Sequence, residues 1–62
     1  KFFKGQKIYV GIDVHLKSWS VTVLSETSVL KKFSQHPSPE ALYGFLTRSY
    51  PGAEYHSVYE AG

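Results

Sequence analysis

Two carboxylates, Asp13 and Glu60, stand at the ends of segments that alternate like β-strands, and any chemistry in this chain would start from them. Two ionised carboxylates brought ~4 Å apart repel by ~4 kcal/mol at an effective dielectric near 20. A fold tolerates such a pair for a divalent cation or a shared proton. All-oxygen ligation suits Mg²⁺ or Mn²⁺. The chain has no Cys and only three scattered His, so zinc is less natural. His15, His36 and His56 have no compact ligand spacing, and His56 reads as a partly buried strand residue. Lys17, just past Asp13, could neutralise a phosphate, whereas Lys31-Lys32 fit the wet face of an outer strand. The plainer alternative is that Asp13 merely ends a strand and Glu60 sits on a solvated edge. The two readings differ in whether the strands bring these acids together.

The elements that would position them follow from periodicity. Over Lys7–Val14, Ile8, Val10, Ile12 and Val14 share one face, and Tyr9, Gly11 and Asp13 share the other, at the strand period of two. Gly11 inside that run suggests a close backbone or side-chain approach. His15–Ser18 is a short connection. Trp19, Val21 and Val23 form the core face of a second strand over 19–24, opposite Ser20 and Thr22. Ser25–Ser28 is a polar turn before a third, weaker strand, Val29–Phe33. Gln35-His36-Pro37 breaks the pattern. Ser38 then caps a helix with Pro39 at its first position and Glu40 at the positive end of its dipole. Ala41, Leu42, Phe45 and Leu46 recur at helical spacing, and Pro51-Gly52 stops the helix. Glu54–Glu60 is a fourth strand.

The order β-β-β-α-β has a geometric consequence. Two reversals leave the third strand parallel to the first, and a helical crossover preserves that direction. A fourth strand beside the first would then run parallel to it, giving a mixed sheet of order 3-2-1-4. Asp13 and Glu60 would both lie at the carboxyl ends of neighbouring parallel strands, the edge where ligand sites gather in open α/β sheets.

Composition bounds the rest. The chain has 62 residues, 42% hydrophobic, 19% charged and 16% aromatic, which describes one small globular domain rather than a disordered tail. The absence of Cys excludes disulfide frameworks and thiol chemistry, and is compatible with the cytoplasm. A net charge of +2 is mild support for an anionic partner. No apolar run approaches the ~20 residues of a membrane span, and KFFKGQK lacks a secretory core. Methionine is missing even at position 1, so the expectation is a chain trimmed from something longer.

Tyr9-Val10-Gly11-Ile12-Asp13-Val14-His15-Leu16-Lys17-Ser18-Trp19, followed by Val21-Thr22-Val23-Leu24, resembles the opening of insertion-sequence transposases of the DEDD class, the family that includes the Piv-type DNA invertases. Tyr59-Glu60-Ala61-Gly62 resembles the family's second acidic motif. Sugar kinases and actin-like ATPases also open on Gly-Ile-Asp, but they continue with a Gly-Thr-type phosphate loop that His15-Leu16-Lys17-Ser18 does not provide. Leu16 departs from the Lys-Lys pair often found in that turn, while Lys17 keeps one charge.

The resemblance covers residues 1–62 and only the start of a much longer family protein. It implies a partial RuvC-like, ribonuclease H-like α/β fold. It also implies catalytic and metal-binding roles for Asp13 and Glu60, with Mg²⁺ or Mn²⁺ held weakly by two of four family carboxylates. The remaining acids would lie beyond residue 62, leaving this stretch inactive alone. The implied activity is metal-dependent cleavage and joining of DNA strands. DNA is the implied partner, and a non-coding RNA encoded by the element can direct such proteins. The sequence also leads to a different kind of expectation, a small non-enzymatic α/β module that binds nucleic acid or protein through exposed aromatics. A fourth strand rich in Tyr and Val at an uncovered edge predicts homo-oligomers by edge pairing.

Overall fold

The alternating apolar residues settle into strands because one face can be buried and the other left in water. The computed structural model describes residues 3–61. It contains strands β1 (Lys7–Val14), β2 (Trp19–Leu24) and β3 (Val29–Gln35), helix α1 (Pro39–Ser49) and strand β4 (Glu54–Ala61). They form an α/β fold in which one helix covers one face of a mixed sheet ordered β3-β2-β1-β4. β2 is antiparallel to both β1 and β3, and β4 is parallel to β1.

Ile8, Val10, Ile12, Val21 and Val23 are almost completely buried, and Trp19, Leu42, Leu46 and Tyr50 complete the core. Burying one such aliphatic side chain contributes roughly 1.5–3 kcal/mol relative to leaving it in water. Phe33 and Phe45 meet at 4.9 Å between ring centroids, fastening the helix over β3. Trp19 takes the core position expected of it and meets Tyr59 edge-on at 5.6 Å.

Two reversals are set locally. His15 donates its N–H to the Ser18 carbonyl at 3.1 Å in the β1–β2 connection. In the β2–β3 turn, Ser25 Oγ accepts the N–H groups of Thr27 and Ser28 at 3.2 and 3.1 Å. β3 runs two residues past the expected Phe33, because Ser34 and Gln35 still pair with Ser20 and Trp19. The Gln35 side-chain amide then donates to the carbonyls of His36 and Ser38, so Pro37 rather than Gln35 is the break. β4 likewise extends one residue past the expected Glu60, with Ala61 in register with Val14. Gly62, part of the second acidic motif, lies outside the described residues.

The crossover is the costly part of the fold, and its helix is secured at both ends. Ser38 Oγ accepts the N–H of Ala41 at 3.1 Å, the expected cap. At the other end, Tyr50-Pro51-Gly52-Ala53 closes a tight turn with Ala53 N–H on the Tyr50 carbonyl at 3.3 Å. Gly52 sits at φ 85°, a conformation that favours glycine after proline. From β4, the Tyr55 hydroxyl donates to the Tyr50 carbonyl at 2.6 Å and lies 3.1 Å from that of Leu46. A single side chain thus ties the last helical turn to the strand that follows it. Among the described residues no helix is long and apolar enough to cross a membrane.

Tyr55→Phe should therefore lower stability at neutral pH by about 1 kcal/mol, the net scale of one lost hydrogen bond, since the Leu46 and Tyr50 carbonyls keep the N–H groups of Tyr50 and Ala53. Burial raises the Tyr55 hydroxyl above its ordinary value of 10.0, with a smaller contribution from Tyr43, and burial raises Tyr50 too. A raised folded pKa means that the unfolded chain loses these protons first. Stability from these groups is complete below pH ~10 and declines as pH rises through the raised values. Denaturant unfolding should show the gap between wild type and Tyr55→Phe narrowing above pH ~10. A gap unchanged with pH would contradict this role for the hydroxyl.

Candidate metal centre at the carboxyl ends of β1 and β4

The parallel register pairs Asp13 directly with Glu60. Neighbouring strands lie about 4.8 Å apart, and residues in register share a face, so the two residues stand side by side on adjacent strands. On the other side of Asp13 the antiparallel register sets Ser20, and beyond it Ser34. The next row inward places Thr22 and Val58 on either side of Gly11. These rows belong to the sheet face opposite the core, since the burial of β1 alternates with Ile8, Val10 and Ile12 inward.

A cavity of about 320 Å³ opens there, lined by Gly11, Ile12, Asp13, Ser20, Thr22, Val58 and Glu60. Its chemistry is two carboxylates, two hydroxyls and one aliphatic wall. Gly11 has a role different from the expected close approach. A Cβ at Gly11 would meet no atom of the described residues within 4 Å, so its missing side chain leaves open space beside Asp13.

His15 is an addition to the site. Its Nε2 lies 3.4 Å from Asp13 Oδ2, with both side chains about half exposed at 48% and 51%. The spacing Asp13-x-His15 was the available signal, but a two-residue offset across a turn does not fix a contact in advance. Lys17, expected near phosphate, lies at the same end of the sheet but in a separate hollow with Ser18, Ser34, Gln35 and His36. It does not line the acidic cavity. Lys32 occupies the open face in register with Thr22, while Lys31 turns to the helix side, 5.5 Å from the Phe45 ring centroid.

His56 differs from expectation. It is exposed rather than partly buried, donates to Glu54 Oε2 at 2.6 Å and stacks on Tyr9 at 5.5 Å between ring centroids. Tyr9, in register with it at the sheet's outer face, supplies the flat surface that holds the imidazole there.

Among the described residues no three His, Asp or Glu side chains converge as a metal-ligand group. Two neighbouring carboxylates with open space beside them nevertheless suit Mg²⁺. That ion keeps several waters and takes one or two carboxylates, with substrate phosphate completing the shell. No protein-family model, curated protein or solved structure matches the chain.

Asp13 and Glu60 are both exposed to water, so their repulsion falls below the ~4 kcal/mol expected at a dielectric near 20. Asp13→Asn keeps the shape and removes one charge. Metal-free stability at neutral pH should rise by about 0.5 kcal/mol, within the range for like charges directly opposed across strands. The gain should shrink between low salt and 1 M salt, where the Debye length falls to ~3 Å. Denaturant titrations at the two salt concentrations test this. Destabilisation by Asp13→Asn would mean that the carboxylate supports the strand end instead.

Proposed function

We propose that this chain is the amino-terminal part of a ribonuclease H-like catalytic domain in a DNA transposase of the DEDD class. The observation that carries the reading is the direct register of Asp13 with Glu60 across the parallel β1–β4 pair, with both side chains lining one open cavity. Those are also the two residues on which the family resemblance places its first two acidic motifs.

In this reading Asp13 and Glu60 hold Mg²⁺ or Mn²⁺, and further carboxylates from beyond residue 62 complete the site. When bound, such ions stabilise the attacking and leaving oxygens of an in-line displacement at phosphorus. The chain's own residues orient the substrate. Ser20 and Thr22 offer hydroxyl donors along the cavity wall, and the bare Gly11 position lets a phosphodiester backbone approach β1. Lys17 flanks this region and attracts phosphate without reading sequence. DNA is the substrate, an element-encoded RNA guides the choice of DNA site, and the reaction takes place in the cytoplasm.

A second reading, a non-enzymatic module that binds nucleic acid or protein, draws on Tyr43 and Tyr59, which are 63% and 53% exposed. Exposed rings are stacking platforms for unpaired bases. The two readings separate on metal dependence.

The test is strand cleavage of DNA by the polypeptide extended past Gly62, with Mg²⁺ and with Mn²⁺. Asp13→Asn and Glu60→Gln should each reduce cleavage to the metal-free background while DNA binding persists. Cleavage that survives both substitutions would overturn the catalytic assignment. DNA binding that is lost with Tyr43→Ala and Tyr59→Ala, without any metal-dependent cleavage, would favour the binding module.

A further inference from the structure

His15 reaches the acidic pair from outside the cavity. The alternation that sets Asp13 on the open face sets position 15 on the same face, two residues on. The β1–β2 turn then fixes where that residue stands. Val14 pairs with Trp19, and the His15 N–H bonds the Ser18 carbonyl at 3.1 Å, so the backbone is clamped at the mouth of the turn. From there Nε2 of the imidazole lies 3.4 Å from Asp13 Oδ2. Asp13 lines the cavity with Glu60, Ser20 and Thr22, whereas His15 does not.

We propose that His15 is a positioning residue for the metal centre: its Nε2–H holds Asp13 Oδ2 and leaves Oδ1 as the oxygen offered to the cation. This role rests on the reading that Asp13 and Glu60 share a divalent ion.

The chemistry favours such a holder. The torsion that turns an Asp carboxylate is broad, so an exposed carboxylate samples many orientations. Mg²⁺ accepts only near-octahedral positions at about 2.0–2.1 Å. A donor on one oxygen narrows the orientations of the other. Nε2 supplies that donor in the neutral ring protonated there, and equally in the imidazolium. The short imidazole stem also has less freedom to lose than the four-carbon stem of a lysine. Glu60 has no ion-pair partner among the described residues, so Asp13 is the acid held in place and Glu60 the one that adjusts.

Groups that hold a metal-binding side chain in this way change metal affinity by about 10–100-fold. The contact at 3.4 Å is longer than the about 2.7–2.9 Å of a charge-assisted hydrogen bond, and both side chains are half exposed. The lower end of the range therefore applies.

Mn²⁺ titration of the ¹⁵N-labelled chain, followed by broadening of the Glu60 amide, gives an apparent dissociation constant for each variant. His15→Ala should weaken binding roughly tenfold. His15→Phe, which keeps a flat ring without a donor, should do the same. His15→Gln, whose side-chain amide offers an N–H at similar reach, should restore the wild-type value. Position 15 is exposed, so the denaturant midpoint should stay at wild type in all three. A further readout needs no metal. Long-range ¹H–¹⁵N spectra should show a proton on His15 Nε2, and Asp13→Asn should shift that nitrogen's signal. Equal affinity in wild type and His15→Ala, with Asp13→Asn still abolishing binding, would overturn the role of His15 and leave the metal centre standing. Binding unaffected by Asp13→Asn would overturn the metal centre and this role with it. A ring protonated on Nδ1 alone, or a loss in His15→Gln as large as in His15→Ala, would overturn the donor assignment.

Discussion

Parallel pairing of β1 with β4 cannot be made by a hairpin. It requires the chain to leave β3, cross the sheet and return in the same direction, and α1 makes that crossing. Glu60 comes beside Asp13 only because the helix lands in one place. Ser38 fixes where it starts, Leu42 and Leu46 press it onto the aliphatic stripe of β1 and β2, and Tyr55 ties its last carbonyls to β4. The unbroken β1–β4 register then carries that placement along the strand to Glu60. The acidic pair is therefore a tertiary feature with remote supports, although both acids lie on regular strands.

A single helix covers a single face. All the buried aliphatic residues of β1 and β2 point to that side, which leaves the opposite face to Tyr9, Gly11, Asp13, Ser20, Thr22 and their neighbours. The open cavity at Asp13 lies on that opposite face. The polar end of the open face collects the carboxylates and hydroxyls.

Much of this was legible from residue order. Ile8, Val10 and Ile12 announced β1, and Ser38-Pro39 announced the helix start. The sequence of reversals and one crossover then required Asp13 and Glu60 to meet if β4 paired with β1, which it does. What was not legible depended on contacts with no periodic signature. β3 outlasts its apolar residues because Ser34 and Gln35 pair by backbone alone. His56 is exposed because Tyr9 and Glu54 offer it a stacked, hydrogen-bonded site on the wet face. Gly11 opens space rather than admitting a neighbour, a difference that no spacing rule reveals. Lys17 follows Asp13 closely in sequence, yet the turn at 15–18 carries it into another hollow.

Joint possession of a divalent cation by Asp13 and Glu60 can be tested most directly with Mn²⁺, whose unpaired electrons broaden nearby NMR signals. In a ¹⁵N-labelled sample of the 62-residue chain, trace Mn²⁺ should broaden the amides of Asp13 and Glu60 first, followed by Gly11 and Ser20. Asp13→Asn should remove that broadening while leaving the remaining spectrum folded. Broadening centred on Glu54 and His56, or identical broadening in wild type and Asp13→Asn, would contradict a shared metal centre at the carboxyl ends of β1 and β4.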